Sequence, residues 1–129
     1  VSVVAGNHVG ACHCNMCRKW TGGPEFAIEC ESENTRFEGE DNITVYNSSE
    51  WAERGFCKRC GSNLFYRLKE TGLYAIPPGL FDDDDLEDLV LAEQVFIDEK
   101  PAFYTFAEKT RELTGAEVLA LYADSGQKD

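Results

Sequence analysis

Residues 12–24 read Cys12-His13-Cys14-Asn15-Met16-Cys17-Arg18-Lys19-Trp20-Thr21-Gly22-Gly23-Pro24, placing three cysteines between positions 12 and 17. On an extended segment the side chains alternate, so Cys12 and Cys14 share one side while His13 points to the other. Cys17 comes back after a turn, and Met16 to Trp20 can form one turn of helix. All three thiols can therefore face one ion. Thiolates suit Zn²⁺, a borderline-soft ion with no geometric demand of its own. Three ligands leave a fourth position that a substrate can occupy, the mark of a catalytic zinc. The alternative is that the clustered cysteines close one or two purely structural sites, and spacing alone leaves both readings open.

A second cluster, Cys57-Lys58-Arg59-Cys60-Gly61, is a C-x-x-C-G knuckle. Two thiolates at this spacing can grip one ion, and Gly61 allows the sharp turn that follows. A thioredoxin-like redox pair would expect a βαβ context, whereas this context reads strand, knuckle, strand. His13, between two candidate ligands, reads as a packed or hydrogen-bonded histidine, and His8 has no motif around it. Cys30 ends an apolar strand and reads as a core thiol.

The 129 residues fit one domain, and the hydrophobic content of 43% with 28% charged residues is that of a globular chain. The net charge of -12 and a pI near 4.5 disfavour phosphate backbones and anionic lipid as partners. No apolar run reaches the roughly 20 residues needed to cross a bilayer, and no signal peptide opens the chain. The expected compartment is the cytoplasm. The chain starts without methionine inside what reads as a strand, so it is expected to be a piece of a longer product. Six cysteines could form a disulfide framework in a secreted protein. Clustered as here, without an export signal, they point to metal. The triplets at Asn42 and Asn47 match the glycosylation pattern, which carries weight only in a secreted chain.

Short runs rich in Val, Ile, Phe and Tyr, separated by Gly, Asn, Asp or Pro, predict strands at 1–4, 9–13, 25–30, 35–37, 43–46, 53–56, 64–68, 73–76 and 92–97. Weaker helical patterns cover 83–89 and 103–111, and long helical periodicity is absent. The class is mainly β. The acidic run from Asp82 to Asp88 reads as a solvated loop or helix start, since the glycine and terminal glutamate of a calcium loop are missing.

The segment CHCNMCRKWTGGPEFA, followed by GFCKRCGSNLFYR and then VFIDEKPAFY, resembles the glutathione-dependent formaldehyde-activating enzyme family, also called the GFA or centromere-protein-V family. The resemblance runs from Val1 to Tyr104 and on through Thr114-Gly115-Ala116-Glu117. It implies a zinc-binding β-tent of several short antiparallel strands, similar to the Rab-GTPase chaperone superfamily. It implies one such domain over residues 1–129, with residues 118–129 expected as a tail without fixed structure. It also implies two zinc sites. Cys12, Cys14 and Cys17 match the catalytic one, and Cys57 and Cys60 match half of the structural one. The other half in the family is an upstream C-x-C-G motif, which this sequence lacks.

That resemblance implies a carbon–sulfur lyase in which glutathione and formaldehyde give S-hydroxymethylglutathione, or the reverse. Three thiolates give a zinc site a net charge of minus one and a substrate thiolate makes it minus two, so positive charge nearby helps. Arg18, Lys19, Lys58 and Arg59 flank the two knuckles and are candidates to hold the carboxylates of glutathione. Their alternative is a solvent-facing role in knuckle loops. Trp20 is a candidate pocket wall, with core packing as its alternative. The competing functional classes are a non-catalytic zinc-stabilised binding or chaperone module, a chromosome-associated role that the negative charge disfavours, and a related enzyme acting on another thiol adduct. Partners are expected to be a small thiol and an aldehyde, with a homodimer allowed.

Overall fold

The computed structural model describes the backbone of residues 2–3 and 6–128, and the side chains of residues 6–121. The described strands are β1 (Ser2–Val3), β2 (His8–Cys12), β3 (Glu25–Cys30), β4 (Thr35–Arg36), β5 (Ile43–Asn47), β6 (Ala52–Cys57), β7 (Asn63–Leu68), β8 (Tyr74–Ile76), β9 (Val90–Val95) and β10 (Arg111–Leu113). The helices are α1 (Asn15–Thr21), α2 (Asp83–Leu86) and α3 (Gly115–Lys128). The protein is mainly β, as its β-branched and aromatic runs require. The chain divides into two compact units, Val1–His8 with Ala27–Leu89, and Val9–Phe26 with Val90–Asp129.

In the first unit the strands are hydrogen-bonded in the order β3-β8-β7-β6-β5, each neighbouring pair antiparallel. A separate two-stranded pair joins β1 to β4, with Ser2 opposite Arg36. The core follows from alternation along these strands. Ile28 stands opposite Ile76, and the two are 4% and 0% exposed. Burying an isoleucine of this kind stabilises the fold by about 1.5–3 kcal/mol. Phe65 packs edge-on to Tyr74 at 5.1 Å and against Phe37 at 5.2 Å. This ring lies so close over Gly55 that a Cβ there would meet it at 2.3 Å, and the β6–β7 register shifts at this point. The side-chain-free residue is what lets β6 pass under the ring. Arg54 is fully buried, its guanidinium 4.9 Å from the centre of the Tyr66 ring.

In the second unit the order is β10-β9-β2. Here β10 runs parallel to β9, pairing Arg111 with Glu93 and Leu113 with Val95. The strands are therefore of mixed direction, where the sequence led us to expect antiparallel ones. A parallel pair needs a crossover of about a dozen residues or more, and the connection over residues 96–110 supplies it. Its core holds Val9, Ala11, Leu113 and Val118. The segment 103–111, expected as a helix, is irregular until β10 begins. Tyr104 and Phe106 both pack on His13, with ring centroids 5.6 and 5.7 Å away. Residues two apart reach one partner only from extended backbone.

α3 occupies Gly115–Lys128 and so overlaps residues 118–129, for which a tail without fixed structure was expected. It starts at a capping box: the Thr114 N–H donates to Glu117 Oε1 at 2.9 Å, and the Glu117 N–H donates to Thr114 Oγ1 at 3.2 Å. Residues 82–85 are exposed, with α2 starting at Asp83, a solvated acidic helix start as read from the sequence. Among the described residues, no helix is long and apolar enough to cross a membrane.

Candidate metal centre

Cys12 is the last residue of β2, so the strand delivers its thiol to the end of the sheet. The chain then leaves extended through His13 and Cys14, and Cys14 becomes the N-cap of α1. Its sulfur accepts a hydrogen bond from the Cys17 N–H at 3.4 Å. Cys17 sits one turn into α1 and is buried. Gly22 ends this helix in the left-handed region, φ 86°, where a residue without Cβ is favoured.

These three elements bring the sulfurs of Cys12, Cys14 and Cys17 within 4.8 Å of one another. In a tetrahedral zinc–thiolate site, with bonds of about 2.3 Å, sulfurs stand about 3.8 Å apart. The donor set and its spacing therefore fit a soft divalent ion. The electrostatics agree. Hydrogen bonds from Cys12 and Cys17 pull the Cys14 thiol down to about 2. Its hydrogen bond with Cys14 pushes Cys12 up to about 12, and Cys17 is pushed up chiefly by its hydrogen bonds with Cys12 and Cys14. Thiols hydrogen-bonded to one another in this way favour one charged sulfur among protonated neighbours. A metal ion takes the place of those protons.

One carboxylate joins this group without having been assigned a role from sequence. Glu25, 8% exposed at the start of β3, has its Oε2 3.6 Å from the Cys17 sulfur. The other partners missed from sequence surround His13, which is fully buried. Its Nδ1 lies 2.7 Å from the Tyr104 hydroxyl and its Nε2 lies 2.8 Å from Gln94 Oε1. Gln94 in turn donates from Nε2 to Thr110 Oγ1 at 3.0 Å. Burial is the main cause holding the His13 ring below its ordinary pKa. His13 is thus the packed, hydrogen-bonded residue that alternation indicates. The only pointer to Tyr104 was its place in the segment VFIDEKPAFY.

Arg18 is half-buried and donates from Nε to the His13 carbonyl at 2.9 Å, so it braces the knuckle. Lys19 is exposed and Trp20 half-buried on the same helix. Lys58 and Arg59 are exposed and belong to the first unit.

The C-x-x-C-G knuckle there joins β6 to β7. The Cys57 N–H donates to the Ser62 carbonyl at 2.9 Å, and Gly61, at φ 79°, donates to the Cys57 carbonyl at 2.7 Å. Gly61 makes the turn that its position after the second cysteine indicates. Cys60 is exposed and 3.2 Å from Ser62 Oγ, a hydrogen bond that lowers its thiol pKa. Both cysteines border a cavity of about 550 Å³ walled by Phe37, Ile43, Leu64 and Arg59. Cys30 is a core thiol, 1% exposed. Among the described residues, Cys12, Cys14 and Cys17 are the three metal-capable groups drawn together in one place.

A solved crystal structure of a Rhodobacter sphaeroides protein is similar in fold, with a TM-score of 0.54 at 22% identity, over 68% of this chain and 86% of that one. An uncharacterized lyase of Schizosaccharomyces pombe is 38% identical over 112 residues, covering 86% of this chain and 80% of the relative. The sequence model of the glutathione-dependent formaldehyde-activating enzymes matches residues 3–99. That span holds every element of the thiol cluster, and the chain belongs to the glutathione-dependent formaldehyde-activating enzyme (GFA) family.

Proposed function

We propose that this protein is a zinc-dependent carbon–sulfur lyase that joins glutathione to formaldehyde as S-hydroxymethylglutathione, or runs the reverse cleavage. The observation that carries this reading is the convergence of three thiols on one point. Cys12, Cys14 and Cys17 would hold the ion. Bound zinc would supply Lewis acidity that keeps a substrate thiol deprotonated at neutral pH.

The chain's own residues do the rest by placement. Arg18 and Lys19, on the helix that carries Cys17, offer positive charge for the substrate carboxylates in a chain of net charge -12. In the forward direction the substrate sulfur forms a bond to the carbonyl carbon, and the thiol proton ends on the new hydroxyl. Cleavage reverses both changes. Trp20, on the next turn of the same helix, is proposed as a wall of this pocket. The mainly β fold, with its cysteine knuckles, supports a zinc β-tent reading. We assign Cys57 and Cys60 as ligands of a second, structural zinc, with Lys58 and Arg59 as further carriers of positive charge. A longer N-terminal strand in the register of β1 on β4 would be directed along Phe37 and Gly39, on the rim of the cavity that holds this pair. The clustering of five of the six cysteines as candidate metal ligands supports a reducing compartment such as the cytoplasm.

The test is native mass spectrometry of the chain with zinc, with and without glutathione. The expected result is a zinc-bound species that gains one glutathione. Zinc retained with no adduct at any glutathione concentration would remove glutathione as substrate and favour a non-catalytic zinc-stabilised module.

A further inference from the structure

Residues 13 and 14 lie between the end of β2 and the start of α1, so the backbone between two candidate ligands belongs to no ladder or helix. What holds it is His13. Its N–H donates to the Val95 carbonyl at 3.1 Å, and its carbonyl accepts from Arg18 Nε at 2.9 Å. The Gln94 side chain donates its NH₂ to Thr110, so its oxygen faces His13 and accepts from Nε2–H. The neutral ring then carries its lone pair on Nδ1, where it accepts the Tyr104 O–H at 2.7 Å. Phe106 stacks against His13 and Phe26 against Phe106, at 5.7 and 5.5 Å. Both ring nitrogens are engaged away from the thiols, so the ring has no free position for a metal.

We propose, resting on the reading of Cys12, Cys14 and Cys17 as metal ligands, that His13 and Tyr104 are positioning residues for that centre: the imidazole, clamped between Gln94 and Tyr104, fixes the backbone that aims Cys12 and Cys14. Hydrogen-bonded partners beyond the ligands themselves commonly change metal affinity by about 10- to 100-fold. The mechanism here is preorganisation. Two thiols on a pinned backbone lose less freedom on binding than two on a loose one. Gln94 comes from β9, and Thr110 and Tyr104 from the segment after it, so the metal site depends on chain far from its own motif.

The experiment uses the full chain and its Tyr104→Phe, His13→Leu and His13→Asn variants. Each is titrated with Co²⁺, and Zn²⁺ affinity is measured against a competing chelator. Circular dichroism and the melting midpoint are recorded alongside. Tyr104→Phe is expected to keep the native dichroism, to weaken both ions about tenfold, and to alter the cobalt ligand-field bands. His13→Leu is expected to lose about a hundredfold. His13→Asn, which restores an acceptor for the Tyr104 hydroxyl, should fall between. If His13→Leu does not fold, Tyr104→Phe decides alone. A Tyr104→Phe protein that binds both ions as the wild type does, with superimposable cobalt bands, overturns the proposal even if its melting point drops. Wild-type protein that takes up neither ion overturns the ligand reading and this inference together.

Discussion

The two cysteine knuckles share a residue type and differ in almost everything that decides what a thiol can do. At Cys12, Cys14 and Cys17, a strand end and a helix start converge three sulfurs, one of them buried, beside a buried carboxylate. At Cys57 and Cys60, a tight turn between two antiparallel strands presents one half-buried and one exposed cysteine at the edge of a cavity. The first is a centre in which protonation of one sulfur depends on the other two. The second offers two thiols, which as ligands would need others from elsewhere to close a tetrahedron. Cysteine count therefore says little about role, and the number of converging sulfurs says much more.

The largest test of that contrast is a pair of serine variants. Cys14→Ser should abolish first-site metal binding and reduce glutathione-dependent turnover by more than about a hundredfold, because losing a ligand exceeds the 10- to 100-fold cost of losing an outer partner. Cys60→Ser should lower the melting temperature while turnover of the folded fraction stays within about threefold. Equal loss of turnover from both would erase the distinction between the knuckles.

A second test perturbs the first unit without touching a thiol. Gly55→Ala drives a methyl to 2.3 Å from the Phe65 ring, so that ring must move. We expect destabilisation of about 1–3 kcal/mol, read by denaturant unfolding, with cobalt binding at the first cluster unchanged. A smaller effect is expected in the second unit. Thr114→Ala removes the side chain that caps α3, at a cost of about 1 kcal/mol in the same assay. If α3 contributes nothing to the fold in solution, that variant will melt with the wild type.

The mildest probe is chemical. In metal-free protein Cys14, held down at about 2, is expected to be a thiolate throughout the neutral range, and Cys12, pushed up to about 12, to keep its proton. Alkylation of Cys14 should therefore be nearly independent of pH between about 5 and 8, while an unfolded cysteine, with an ordinary pKa of about 8.5, speeds up across that range. Linkage has the same sign. A depressed thiol pKa contributes stability that is present above the unfolded value and is lost as pH falls toward the folded one. A steep rise of Cys14 labelling with pH would show that its neighbours do not hold the charge there.

Much of the fold was legible because its signal is local. Strands such as β3 and β7 announce themselves by β-branched and aromatic residues between turn formers, and the turn at Gly61 by a glycine after the second cysteine. β10 was not legible, because three residues bonded in parallel to β9 leave no alternation to read. The segment 103–111 misled because its composition permits a helix while its aromatic rings are claimed by His13. α3 was not read from the sequence, although Thr114 and Glu117 stand at capping-box spacing at its start.

The site divides in the same way. Spacing alone placed Cys12, Cys14 and Cys17 on one side and turned His13 away, because backbone alternation over three residues needs no distant partner. Gln94, Thr110, Tyr104 and Glu25 could join the account only after folding, since each meets the knuckle through contacts that the chain's order does not encode. Local spacing was enough to say which sulfurs could share an ion. How firmly they are held, and which of them is favoured to carry charge, follows from folding, because burial and hydrogen bonding depend on what packs against a residue rather than on what stands next to it in the chain.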